Sequence, residues 1–321
     1  MKKILKIQVL LSIVIILFFF NFNVSTTKAA FSDKDNGLYH KLSEIVYDAD
    51  NLKKVKKKLT DAHYPEPKFK VLDVLDIDND KTHPIGKTAN GKGIYGLQST
   101  GFKAMAVLEK SSNNVIIAFA GTQKNNPNDV LTAINSLTST TSGQSFQAQL
   151  YMNYIFKAKL DKDKKYKFYL TGHSLGGWVS TKLYLDIRSA NWLTSKTKFE
   201  YGGAIIPSIS GVYTFNPLPI SKKSISSEQW KANKNRVYDK DVKNLYIKNE
   251  WLNSTQQGHS DSLAYIGTQG AINKKITRKN YVTTGIKDTL IHYYTKDDMS
   301  ESHKICKLKN SVTPINQSCG Q

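Results

Sequence analysis

Cysteine is nearly missing from this sequence: the 321 residues include two, Cys306 and Cys319, both near the C-terminus. With only His303 close by, they do not have the ligand spacing of a zinc site. In an exported protein they would close one local disulfide loop and pin the tail, free thiols being the alternative. Internal repeats, long Pro-rich or Gly/Ser-rich linkers and any sustained compositional break after residue 30 are also lacking. That excludes a repeat array and makes one domain the economical reading. Acidic residues are in short supply, 26 Asp and Glu against 46 Lys and Arg, for a net charge of +20. Such a surface is drawn to anions such as lipid headgroups, nucleic acid or acidic polysaccharide, and composition alone does not choose among them. A coding bias toward Lys, Asn and Ile would give the same excess.

Long apolar runs are confined to the start. Met1-Lys2-Lys3 precedes a mostly apolar stretch from Ile4 to Val24, and Thr27-Lys28-Ala29-Ala30 ends in small residues. This is the layout of a secretory signal peptide, residues 1–30. An uncleaved membrane anchor is the alternative, since about 20 apolar residues span a bilayer. No Cys follows the run, so a lipoprotein anchor is not indicated. Without Lys2, Lys3, Lys6 and Lys28 the remaining domain, residues 31–321, carries +16. Hydrophobic residues at 40% and aromatics at 11% are enough for a sizeable core.

Within that domain, Leu38, Leu42, Ile45 and Val46 recur at helical spacing. A second helix is predicted with Leu52, Val55 and Leu59 on one side and Lys53, Lys54, Lys56, Lys57 and Lys58 around it. It is either a membrane-surface helix or a solvated face. Phe102–Leu108 and Val115–Phe119 read as a hairpin across Lys110-Ser111-Ser112-Asn113-Asn114. Gln144–Leu160 suits a helix and Lys167–Thr171 a strand. Leu175, Val179, Leu183 and Ile187 set an apolar stripe on a helix running to about Ala190. Val212–Phe215 and Leu245–Ile247 are two further short apolar runs. Strands alternating with helices predict an α/β fold with a largely parallel central sheet flanked by helices.

The chemistry centres on Gly172-His173-Ser174-Leu175-Gly176-Gly177, a Gly-x-Ser-x-Gly pattern between a predicted strand and a predicted amphipathic helix. That is where a nucleophile elbow belongs: the glycines permit a cramped turn, the serine projects above the strand end, and the helix N-terminus offers N–H groups to a developing oxyanion. A serine hydroxyl needs a base, and the base an orienting carboxylate. In this architecture the chain order is Ser, acid, His, which sets aside His40, His63 and His83 and leaves His259, His292 and His303. His173 lies inside the turn and is expected to brace it.

The motif does not stand alone. Val115-Ile116-Ile117-Ala118-Phe119-Ala120-Gly121-Thr122, about 50 residues before it, resembles the strand and oxyanion loop of the class 3 lipases, the fungal-lipase-like branch of the α/β-hydrolases. The resemblance implies an α/β-hydrolase fold and oxyanion donors at Thr122 and at the Leu175 N–H. The family commonly has Arg before the loop glycine, where this chain has Ala120. Gly211-Val212-Tyr213-Thr214-Phe215-Asn216-Pro217 is similar to the strand after the nucleophile helix, and Leu245–Leu252 resembles the segment that carries the acid. Glu250 occupies that place where the family usually has Asp, with Asp239 and Asp241 as the nearest alternatives. Asp288–Thr295 is similar to the late histidine segment, which implies His292 as base, with His259 as the alternative.

The activity so implied is a secreted, extracellular or cell-surface/periplasmic lipid ester hydrolase, acting on triacylglycerol or phospholipid through an acyl-enzyme and needing no cofactor or metal. Expected partners are the lipid substrate and a membrane or lipid interface, with no nucleic acid. An acyltransferase or peptidase on the same fold, or a non-catalytic anion-binding protein, is the competing reading. Asn125–Ser142, rich in Thr, Ser and Asn, reads as a lid or an ordinary surface loop.

Overall fold

The computed structural model describes residues 33–80, 83–86, 101–121, 143–188, 208–247, 263–277 and 280–286. The segment 1–30, the stretch 125–142 and both cysteines lie outside these residues. No helix among the described residues is long and apolar enough to cross a membrane.

The chain opens with helix α1 (Asp33–Ile45), a 3-10 turn (Val46–Asp48) and helix α2 (Leu52–Asp61). Leu42, Ile45 and Val46 are buried as their spacing predicts. On α2 the apolar side is shorter than expected: Val55 and Leu59 are buried, but Leu52 is 44% exposed. The lysines of α2 are largely engaged, Lys54 and Lys58 with Asp48, Lys56 with Glu66 and Lys57 with Asp61.

Strand β1 (Phe69–Asp76) follows, then the hairpin β2 (Lys103–Glu109) and β3 (Asn114–Phe119), paired antiparallel with Ala104 opposite Phe119. Helix α3 (Gly143–Tyr154) ends in a π-turn (Ile155–Lys159) instead of continuing α-helical to Leu160. The central unit is β4 (Lys167–His173), helix α4 (Leu175–Arg188) and β5 (Ile209–Phe215). Beyond it come β6 (Ile220–Ser221), helix α5 (Ser227–Lys234), β7 (Val242–Ile247), β8 (Leu263–Ala264), β9 (Thr268–Thr277) and β10 (Asn280–Ile286).

Eight of these strands form one sheet in the order β1-β2-β3-β4-β5-β7-β9-β10, parallel from β3 through β9 and antiparallel at both margins. One face packs on α3 and α4 through Ile117, Phe119, Leu170, Val179 and Leu183, and the other on α1 and α2 through Leu42, Val55, Ile116, Ala118 and Phe215. A mostly parallel sheet covered on both faces must bury nearly every strand residue, which is why β3 reads as an unbroken apolar run. This architecture, with a Ser-bearing turn leading from a central strand into a helix, is that of an α/β-hydrolase.

In parallel strands all C-terminal ends share one rim of the sheet. Gly121, Ser174 and Asn216, which follow β3, β4 and β5, therefore meet at that rim, the place where open α/β sheets bind ligands.

Candidate active site

Strand β4 delivers its chain into α4 through a turn of one residue. Ser174 has φ 55°, the left-handed region that costs an L-residue on the order of 1–2 kcal/mol. The surroundings hold it there. Its N–H donates to the Phe215 carbonyl at 3.1 Å, and its own carbonyl accepts from Gly177 at 3.0 Å, Trp178 at 3.2 Å and Leu218 at 3.1 Å. Gly172 and Gly176 are required by contact: a Cβ on Gly172 would lie 2.3 Å from the Gly176 carbonyl, and one on Gly176 would lie 2.0 Å from the Phe119 oxygen. Helix α4 thus sits against the sheet at a distance no side chain would permit. The N–H groups of Leu175 and Gly176, ahead of those bonded to the Ser174 carbonyl, have no acceptor within the helix and carry the partial positive charge of its N-terminus at the rim. Ser174 itself is buried, 4% exposed.

The end of β3 closes one side. Phe119 pairs with Gly172, so two residues later Gly121 stands level with Ser174. A Cβ on Gly121 would meet the Ser174 Cβ at 3.0 Å and the His173 oxygen at 2.8 Å. Gly121 is therefore packed directly on Ser174, and Ala120 before it leaves that approach open.

A residue that no sequence motif marks joins these pieces. The Gly121 N–H donates to the Tyr47 hydroxyl at 3.1 Å, and the same hydroxyl lies 2.9 Å from His173 Nδ1. Burial raises the pKa of this tyrosine well above its ordinary value, outweighing the lowering effect of the Gly121 contact, so the hydroxyl keeps its proton. His173 braces the turn as expected, and Tyr47 is what it braces against. Tyr47 lies 126 residues from His173, in a 3-10 turn with no motif around it, so nothing local in the chain marks it.

Helix α1 is itself anchored across β4 and β5. Tyr39 stacks on Tyr213 with centroids 4.1 Å apart, His40 meets Phe215 edge-on, and Ser43 and Thr171 share a buried hydrogen bond of 2.8 Å. At the same rim, Lys103 bonds Asp76 at 2.8 Å while its carbonyl accepts the Ala120 N–H. Burial alone would raise the Asp76 pKa, but Lys103 and Asn79 prevail and hold it below the usual carboxylate range.

The alternatives for the acid separate by strand direction. Asp241 immediately precedes β7, its carbonyl accepts from Val212, and its carboxylate takes the Tyr184 hydroxyl at 2.7 Å and an ion pair from Arg188. Asp239 pairs with Arg236 at 2.7 Å. Because Phe215 pairs with Leu245, Ser174 is level with Tyr246, and Asp241 is five residues back along the strand, about 16 Å away. Asp239 and Asp241 belong to the opposite rim and cannot orient an imidazole at Ser174. The chain leaves β7 at Ile247 on the Ser174 side, three residues before Glu250. Glu250, His292, His259, His303 and Thr122 lie outside the described residues.

No protein-family model and no curated protein matches this sequence. Solved structures of similar shape exist. A mutant form of MDLA from Penicillium cyclopium shares 12% identity over 88% of this chain and 98% of its own, with a TM-score of 0.49. Lip2 lipase from Yarrowia lipolytica shares 12% over 75% of this chain and 79% of its own, at 0.46. A Rhizomucor miehei lipase in complex with its propeptide shares 12% over 85% and 77%, at 0.40. At that distance the fold and the site stand on this chain's own strand order and turn geometry.

Proposed function

We propose that this chain is a secreted serine ester hydrolase that cleaves acyl esters of lipids. The observation that carries the reading is the left-handed backbone of Ser174 at the joint of a central parallel strand and a helix, held by glycine contacts at both ends of the motif. A strained serine aimed out of the C-terminal rim, beside the N–H groups of a helix terminus, is what acyl transfer needs and what an ordinary strand-to-helix turn does not.

In this reading the Ser174 hydroxyl oxygen attacks the ester carbonyl while His292 takes its proton. The tetrahedral oxyanion is held by the N–H groups of Leu175 and Thr122. Collapse breaks the ester C–O bond, and the alcohol leaves with the proton returned by His292. Water then repeats the sequence on the acyl-enzyme and releases the fatty acid. Glu250, three residues after β7 ends at Ile247, orients the imidazole and stabilises its charged form. The substrate class follows from the resemblance of the Val115–Thr122 and Gly172–Gly177 segments to class 3 lipases. The excess of lysine would concentrate the enzyme on anionic lipid surfaces, favouring phospholipid among those substrates. Residues 1–30 would direct export and be removed.

The test is hydrolysis of a short-chain acyl ester, a long-chain triacylglycerol and a phospholipid by residues 31–321 beside Ser174→Ala, with product positions identified. Serine-dependent release of fatty acid is the expected result, and the preferred ester separates lipase from phospholipase. Wild type inert toward all three would defeat the proposal.

A further inference from the structure

We propose that Tyr47 is a positioning residue of the reaction centre, a hydroxyl that fixes the end of β3 and the Ser174 turn relative to one another. The inference rests on the hydrolase reading and extends it to a residue outside every motif. A tyrosine hydroxyl has one proton to give. Here it accepts the Gly121 N–H at 3.1 Å, so its proton is available to His173 Nδ1, 2.9 Å away. That donation requires Nδ1 to be bare, which places the proton of the neutral imidazole on Nε2. In that tautomer the chain of bonds runs from Gly121 N–H through Tyr47 Oη–H to His173 Nδ1.

Both ends of this bridge touch the chemistry. His173 immediately precedes the nucleophile, and Gly121 packs against it so closely that a Cβ there would be 3.0 Å from the Ser174 Cβ and 2.6 Å from the Tyr47 hydroxyl. The hydroxyl thereby sets the spacing between two main-chain segments that must hold still while charge develops at the acyl carbonyl. Misplacement by a fraction of an ångström at such a centre is read in turnover and hardly at all in ground-state binding. The fold does not depend on this hydroxyl to seat α1, because the Tyr39–Tyr213 stack and the Ser43–Thr171 bond hold the helix independently.

The experiment compares wild type, Tyr47→Phe and Ser43→Ala on a soluble short-chain acyl ester. It measures kcat and KM separately, the rate of covalent labelling by a fluorophosphonate, the melting temperature, and the His173 nitrogen-15 shifts. We expect Tyr47→Phe to lower kcat and labelling rate by about 10- to 100-fold with KM within about twofold. We also expect it to lose the Nε2–H tautomer signature that wild type shows. Ser43→Ala should match its drop in melting temperature while keeping kcat within about twofold. Unchanged kcat and labelling in Tyr47→Phe would overturn the proposal, as would an equal kcat loss in Ser43→Ala, which would reduce Tyr47 to a fold anchor. A wild type that is inert and takes no label at Ser174 would remove the hydrolase reading, and the role of Tyr47 with it.

Discussion

The two rims of the parallel sheet hold similar ingredients to different ends. At the N-terminal rim, Arg188 lies over the rings of Tyr184 and Tyr238 and pairs with Asp241. Of the tight glycines there, Gly211 has only the edges of the Tyr169 and Tyr213 rings within 3.1–3.3 Å of a Cβ position, while Gly267, with φ 83°, would bring a Cβ within 2.4 Å of the Val242 oxygen. At the C-terminal rim the close contacts are backbone on backbone, the main chain at Ser174 and Asn216 is left-handed, and the tyrosine is bonded to an N–H and an imidazole in place of a cation. The first rim is mainly a staple of side chains that can adjust, with one fixed backbone contact at Gly267. The second is a fixed main-chain geometry that cannot relax without losing its purpose. Carboxylate, tyrosine and glycine occur at both, so the type of residue does not identify a site; its position along the strand direction does.

The sharpest way to test the contrast is to remove the proposed nucleophile. On the hydrolase reading, Ser174→Ala should lower ester turnover by about 10⁴-fold or more while leaving the thermal midpoint nearly unchanged, since the fold survives. Next in size is the glycine comparison. Gly176→Ala has to push a Cβ out of the Phe119 carbonyl and should cost about 3 kcal/mol in a denaturant melt, whereas Gly211→Ala, facing movable rings, should cost about 1 kcal/mol or less. Equal costs would erase the distinction between a backbone contact and a movable ring.

Asp241→Asn bears on the acid directly. It should cost about 1 kcal/mol of stability, discounted because the Arg188–Asp241 pair is partly exposed, and leave kcat within about twofold. A collapse of kcat would mean that the register places the wrong carboxylate at the far rim. The smallest effect concerns acid. The Asp76 pKa is lowered in the folded state, so its contribution is present above the unfolded value near 4 and lost as pH falls through the folded value. Asp76→Asn should therefore lower the thermal midpoint at neutral pH, where the contribution is present, and flatten its fall below about pH 4, read from melts across the range.

Much of this organisation is legible in the sequence wherever the physics is local. The stripe Leu175-Val179-Leu183, the β2–β3 hairpin and the glycines of the elbow are decided by neighbours a few residues away, and each is present in the structure. Strand β1 escapes because a bulge between Val71 and Asp73 breaks its alternation, turning Asp73 toward His83 and Lys159. The end of α3 escapes because a π-turn keeps the same apolar residues while changing the hydrogen bonding. Asp241 competes with Glu250 in the sequence because only strand register reveals that it lies on the wrong edge. Tyr47 escapes for the plainest reason, that its partners are 74 and 126 residues away.

That separation bears on how the molecule comes into being. At synthesis rates of about 5–20 residues per second, some 6–25 s pass between the appearance of Tyr47 and that of His173. Through that interval α1 has no β4 to lie on, and the aromatic face it will bury stands open to water. The segment that carries Tyr47 is made first but cannot be tied to the Ser174 turn until β4 exists, so this rim is assembled from pieces made far apart in time.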